Sequence, residues 1–288
     1  MEMSMHRREA LQIMGAAAAM PAVRGHLALP EPIRAGRIKQ SVSRWPYSKI
    51  PLPEFCAACK NMGIVGIDLL QPEEWAVVRE AGLTPSMGYP TKRNDFIATG
   101  FNDPANHPML LRELEATIPL AAKAGVPNVI AMFGNRNGRS DSDAIAACVQ
   151  GLSAIKGLAE EQKVNVCVEL LNSKVDHPGY QGDHTAFGVA VMQGVGSPRV
   201  KLLYDIYHMQ IMEGDVIRTI RANAPYIGHF HTGGVPGRHE LDDTQELNWH
   251  AVARAIADTS FDGFMAHEFT PTKAPLESLR QAVETCTV

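Results

Sequence analysis

"DAIAACVQGLSAIKGLAEEQKVNVCVEL", residues 143–170, carries the plan of the fold in one stretch. Its first twenty residues space their apolar side chains as a helix does. Its last seven alternate valines with other residues and read as a buried strand. Only Lys163 separates the two patterns. A helix that feeds a strand through so short a link is the unit of an α/β chain.

The same unit recurs outward in both directions. Further strands are predicted at 38–43 ("IKQSVS"), 66–70 ("GIDLL"), 84–88 ("TPSMG"), 128–134 ("NVIAMFG"), 200–206 ("VKLLYDI"), 226–232 ("YIGHFHT") and 263–269 ("GFMAHEF"). Helical periodicity fills 52–63, 73–82, 107–125, 185–196, 215–225, 248–260 and 275–285. Glycines such as Gly63, Gly82 and Gly125 stand where those helices should stop. Eight strands alternating with eight helices predict parallel strands covered on both faces. In a chain of this length that points to a single (β/α)8 TIM barrel over 31–288. No G-x-G-x-x-G follows the first strand, which disfavours a dinucleotide-binding sheet. The polar link at 87–106 follows strand three, on the face where barrel active sites form.

Composition narrows the function. The net charge of −4, without a basic stretch, disfavours nucleic acid as a partner. No apolar run approaches the roughly 20 residues of a membrane span. Residues 1–30 differ from the rest: Arg7-Arg8, then an alanine-rich segment, then Pro21. That order predicts a twin-arginine export signal, with the mature chain starting between Ala22 and Glu31 and a periplasmic or exported protein. Without such a signal the protein would be cytoplasmic. Cys56 and Cys59 form a C-x-x-C with no second pair at zinc spacing, so they are expected to be buried on a helix. The odd total of five cysteines disfavours a disulfide framework.

Barrel chemistry sits at the C-terminal ends of strands. Strand five ends at Glu169, strand six at Asp205, strand seven at His231 and strand eight at Glu268. Adjacent strands lie about 4.8 Å apart, so these four side chains can converge. Three carboxylates together need a cation between them. With one imidazole they form a mixed oxygen/nitrogen site suited to Mn²⁺ or Mg²⁺, with Co²⁺ possible. His229, two residues before His231, lies one layer deeper. Support of a bound carboxylate and a hydrogen-bonded core role account for it equally well. His208 follows Asp205 by three residues. The loop 233–243 carries Arg238 and Glu240, and the loop after strand five carries Lys174. Arg238 and Lys174 can take an anionic group, with Glu240 and His208 beside them, or else pair on the surface, Arg238 with Asp242 or Asp243.

Four stretches, "VCVELLNSKVDHPGY" (166–180), "KLLYDIYHMQIMEGD" (201–215), "IGHFHTGGVPGRHELDDTQELNW" (227–249) and "GFMAHEFTP" (263–271), resemble the hydroxypyruvate isomerase family of xylose isomerase-like barrels. The resemblance implies metal ligands Glu169, Asp205, His231 and Glu268, with His208 and Arg238 binding substrate. Many of these isomerases have glutamine where His231 stands, and histidine there resembles the ketose 3-epimerase branch. The stretch after Glu169 resembles the isomerases.

The expected activity is an aldose–ketose type isomerisation, with hydroxypyruvate converted to tartronate semialdehyde. A metal-held hydroxy-carbonyl would lose a proton to one of Glu169 and Glu268 and regain one from the other through an enediolate. A metal-assisted hydride shift is the competing route. The alternatives are a ketose 3-epimerase or other sugar isomerase and, more distantly, a catalytically silent exported sugar-binding barrel. A small hydroxy-carbonyl or sugar substrate is the expected partner, and homo-oligomers are compatible with the chain.

Overall fold

A computed structural model describes residues 36–288. The expected export signal at 1–30 lies outside them. Eight strands run in chain order: β1 (Lys39–Ser43), β2 (Gly66–Asp68), β3 (Thr84–Pro85), β4 (Asn128–Met132), β5 (Asn165–Leu170), β6 (Val200–Asp205), β7 (Ile227–Thr232) and β8 (Phe264–His267). Among the described residues, nine α-helices lie between and after them: α1 (Leu52–Asn61), α2 (Trp75–Glu80), α3 (His107–Ala124), α4 (Asp141–Gln162), α5 (Thr185–Val195), α6 (Ile206–Met212), α7 (Val216–Asn223), α8 (Trp249–Ala257) and α9 (Pro275–Cys286).

Every strand pairing is parallel, and β1 joins both β2 and β8, so the first and last units meet. On the other side β3 is only two residues long. The sheet continues there through Gly88 alone, whose N–H donates to the Asn128 carbonyl (2.9 Å) and whose carbonyl accepts from Ile130 (3.1 Å). A Cβ on Gly88 would lie 2.7 Å from the Trp75 ring, so a side chain does not fit where the curl is completed. The result is the expected xylose isomerase-like TIM barrel architecture.

Local chemistry explains the boundaries. Ser140 accepts from the Asp143 N–H and starts α4; Gly125 ends α3 with φ 71°, a left-handed turn that glycine adopts at no steric cost. Valine, isoleucine and leucine fill both faces of the central strands, which a sheet covered by helices on one side and filled by side chains on the other requires. Cys56 and Cys59 are buried free thiols of α1, as expected.

Two elements differ from expectation. Strand three stops at Pro85, because the chain turns out before Gly88. Helix α6 was not expected: it follows β6 without a loop, and Asp205 itself caps it, its Oδ1 accepting from the His208 N–H at 3.1 Å. His208 therefore rides on the first turn of a helix rather than in a loop.

Candidate active site

Glu169 on β5, Asp205 at the end of β6, His231 on β7 and Glu268 one residue beyond β8 are all buried, and one ligand atom from each lies within 4.8 Å of the others. The sequence expectation that these four converge is met by their positions. His231 Nδ1 is 2.5 Å from Glu268 Oε2, 3.3 Å from Glu169 Oε1 and 3.8 Å from Asp205 Oδ2. The contacts with Glu268 and Glu169 are ion-pair distances for a protonated ring. The other ring nitrogen, Nε2, is 2.8 Å from Asp68 Oδ2. Strand register places Glu169 opposite Leu203 and Leu203 opposite His229. Glu169 reaches His231 across the stagger that tilted barrel strands impose.

Arg238 enters this cluster from the loop after β7, with a backbone φ of 56°. Its Nη2 donates to Asp205 Oδ2 and to Glu268 Oε2, both at 2.6 Å, and its Nε donates to the Glu268 carbonyl at 2.9 Å. Its Nη1 lies 2.7 Å from His208 Nε2, and its guanidinium lies over the Tyr207 ring. Pairing with Asp242 on the surface is excluded, since Lys273 takes that carboxylate.

These neighbours split the charges of the two glutamates. Burial pushes Glu169 up to about 7, which His231 only partly offsets. Glu268 feels the same burial, yet the charges of His231 and Arg238 hold it below its ordinary value. Burial alone would lower His231, but the charge of Glu268 and the contacts with Asp68 and Glu169 hold it well above the usual range. His208 is pushed well below its usual value, first by burial and then by Arg238 and His177. The positive charges of His231 and Arg238 thus sit among the three carboxylates.

A cavity of about 390 Å³ opens above Glu169 and Glu268. Leu69, Tyr89, Phe96 and Leu171 form apolar wall, and Asp176, His177, His208 and Arg238 supply the polar part. Trp45, in the short turn after β1, stands at the mouth and donates its indole N–H to Glu268 Oε1 at 2.5 Å. The link at 87–106 contributes Tyr89, Phe96 and Ile97 to this cavity, as its place after strand three suggested.

Two expected substrate-binding residues are placed elsewhere. Lys174 turns its Nζ to the carbonyls of Ile211 (3.0 Å) and Met212 (2.9 Å) at the C-terminal end of α6, where backbone carbonyls attract a cation. Glu240 accepts from the backbone N–H groups of Thr272 and Lys273 and from the hydroxyls of Thr272 and Ser278. It ties down the approach to α9 and does not line the cavity. His229 lies beneath His231, the rings edge to face at 5.2 Å, and reaches no cavity atom.

Sequence reasoning missed Asp68 and Trp45. Asp68 had a signal: it is the only charged residue in the apolar run "GIDLL" and sits two residues before the strand end that was inspected. Trp45 lies just past its strand and had no comparable signal.

A family model described as "Xylose isomerase-like TIM barrel" matches residues 34–286. A human protein named "Putative hydroxypyruvate isomerase" is 29% identical over 171 residues, which cover 58% of this chain and 62% of that one. A D-psicose 3-epimerase of Agrobacterium fabrum is 33% identical over 124 residues, covering 42% of this chain and 40% of its own. The chain thus aligns with less than two thirds of either relative. Among solved structures, an AP endonuclease of family 2 from Brucella melitensis superposes with a TM-score of 0.76 at 20% identity, over 84% of this chain and 97% of that one. That likeness concerns the fold alone. By the span of the family match, over a barrel whose strand ends gather these residues, the chain belongs to the xylose isomerase-like TIM barrel family.

Proposed function

We propose that the protein is a divalent-metal-dependent isomerase or epimerase of small α-hydroxy carbonyl compounds, with Glu169, Asp205, His231 and Glu268 as the ligand set. One observation carries this reading: three buried carboxylates, Glu169, Asp205 and Glu268, converge on a single imidazole nitrogen, His231 Nδ1. Carboxylates gathered this closely away from water repel one another unless a cation lies between them. The donor set, three oxygens and one nitrogen with no thiolate, suits Mn²⁺ or Mg²⁺, and also Co²⁺.

A bound ion would polarise the substrate carbonyl and make the hydrogen beside it more acidic. The rest falls to the side chains. Glu169 and Glu268 come from strands on either side of Asp205 and His231, so each borders the cavity from its own side. One takes the proton and the other returns one to carbon. Trp45 and Arg238 hold both oxygens of Glu268 in fixed directions, which limits its motion during transfer. His208, low in proton affinity, has Nε2 2.7 Å from Arg238 Nη1 and Nδ1 2.7 Å from Asn172 Nδ2, so it steadies the guanidinium at the cavity edge. The apolar wall keeps water from the carbon that exchanges its proton.

Two substrate classes have support. The arrangement of charge favours a neutral hydroxyketone or ketose. Arg238 is already tied to two carboxylates, Lys174 is turned away, and Asp176 adds a negative charge to the wall. The cavity also equals about 13 water volumes, roomy for a three-carbon acid. The relatives' names favour hydroxypyruvate, with tartronate semialdehyde as product.

A panel of hydroxypyruvate and neutral ketoses, run with Mn²⁺, Mg²⁺ and Co²⁺, tests both. Turnover in deuterated water should carry solvent deuterium into early product. Its absence would favour a hydride shift, and failure on every substrate with every ion would remove the enzyme reading in favour of a sugar-binding barrel.

A further inference from the structure

Beneath the four converging residues lies a second, fully buried layer that the chemistry above does not use. Asp68, on β2, is entirely enclosed. Its Oδ2 is 2.8 Å from His231 Nε2, and its Oδ1 accepts from the Ser86 hydroxyl at 2.8 Å. The same Oδ1 is 3.2 Å from Nε2 of His229. Asp68, His229 and His231 also lie close enough to hold an ion of their own. The contacts favour a different use. Ser86 directs a hydroxyl hydrogen at Asp68, and the His229 ring sits edge to face against His231 rather than pointing with it at one centre.

An imidazole on a flexible stem can rotate, flip or exchange which nitrogen bears the hydrogen. His231 is denied all three. Its Nε2–H is occupied from across the barrel by a carboxylate that Ser86 fixes, and His229 blocks the ring from one side. Nδ1 is left to Glu169, Asp205 and Glu268, with Glu268 Oε2 2.5 Å away.

We propose that Asp68 is the positioning residue of the site: it holds His231 Nε2–H so that Nδ1 is the nitrogen presented to the carboxylate cluster. It acts through His231 and touches neither substrate nor ion. Carboxylates that hold the far nitrogen of a metal-binding histidine commonly affect affinity about 10–100-fold. This inference rests on the ligand set proposed above, and it makes a prediction that does not need metal.

Two measurements test it on the whole chain. The first is on metal-free protein. Proton and nitrogen NMR should show a strongly downfield, exchange-protected Nε2–H for His231. It should be lost in Asp68→Ala and shifted in Asp68→Asn, with backbone spectra and thermal unfolding showing that Asp68→Asn stays folded. If that signal is missing in the parent protein, the inference is wrong whatever the metal behaviour.

The second is titration with Mn²⁺. The parent should take up one ion, and Asp68→Asn should bind it about 10–100-fold more weakly. In a His231→Gln background the same change should alter affinity by less than about twofold, since the route through the imidazole is gone. An undiminished effect there would overturn the positioning role. So would equal affinity in Asp68→Asn, or two ions in the parent with one lost in the variant, which would make Asp68 a ligand. A parent protein that takes up no divalent ion while keeping the protected Nε2–H would sink the metal reading and leave the Asp68–His231 hold intact.

Discussion

Arg238 and Glu268 hold each other at two points: Nε donates to the main-chain carbonyl of Glu268 at 2.9 Å, and Nη2 donates to its side-chain Oε2 at 2.6 Å. The second donor also reaches Asp205, so one guanidinium balances two buried carboxylates. Replacing Arg238 with Ala leaves both charges without that partner. The metal-free protein should lose on the order of 3 kcal/mol of stability. Saturating Mn²⁺ should recover most of it, because the ion supplies the missing charge. Urea unfolding with and without Mn²⁺ measures both numbers. A loss below about 1 kcal/mol in the metal-free protein would mean the guanidinium balances little.

Protonation of Glu169 gives the site a pH dependence with a definite sign. Its folded value, about 7, lies above the ordinary carboxylate value. Between those values the folded chain keeps a proton that the unfolded chain has lost. Glu169 therefore contributes stability that declines as pH rises towards 7 in metal-free protein. Metal uptake must displace that proton and one from His231, whose affinity for its proton is also raised. Calorimetry in buffers of different ionisation enthalpy should find about one proton more released per ion at pH 6 than at pH 8, the proton of Glu169. Uptake without proton release at pH 6 would contradict the assignment of these two groups.

The indole of Trp45 reaches Glu268 from a part of the barrel remote in sequence. Trp45→Phe keeps an aromatic wall and removes only the N–H. It should lower kcat about tenfold and leave KM within about twofold, since the lost contact fixes a proton-transferring carboxylate rather than the substrate. A rise in KM with unchanged kcat would place Trp45 among the substrate contacts instead.

Lys174 and Glu240 give the opposite expectation. Lys174→Met should change kcat/KM by less than about twofold for every substrate, acid or neutral, and cost about 1 kcal/mol of stability. A loss confined to hydroxypyruvate would return Lys174 to the substrate. Glu240→Gln should leave turnover intact and cost about 2 kcal/mol, because four donors converge on the carboxylate. Those donors, against the opposing effect of burial, hold Glu240 down at about 2. Its stabilisation is full above the ordinary carboxylate range and fades as pH falls towards 2, so the gap between parent and variant should close under acid.

The strands and the four converging residues were readable because both follow from period. A side chain at the end of a parallel strand must face the barrel mouth or its wall, and the valine-rich runs set where each strand ends. Helix α6 was not readable in the same way. "IYHMQIM" is apolar enough to continue a strand, and no glycine or proline marks the change. Its start is set by the Asp205 side chain folding back on the His208 N–H, a contact within three residues that leaves no periodic trace. Lys174 and Glu240 were placed in the correct loops but given the wrong direction. Both partners of Lys174 and half of those of Glu240 are backbone groups, of Ile211, Met212, Thr272 and Lys273, and a main-chain carbonyl or amide has no letter in the sequence. Asp68 was overlooked because attention fell on strand ends, whereas its task lies one layer lower, against the back of His231.

The short junction at Asp205 limits the denticity of the site. Oδ1 is committed to the first turn of α6, and Oδ2 alone faces the cluster. An ion held by this cluster would meet Asp205 through Oδ2. Chelation by both oxygens would require the cap to break and the first turn of the helix, His208 included, to unwind. A strand that passes straight into a helix thereby rations the donors that Asp205 can offer to the cluster.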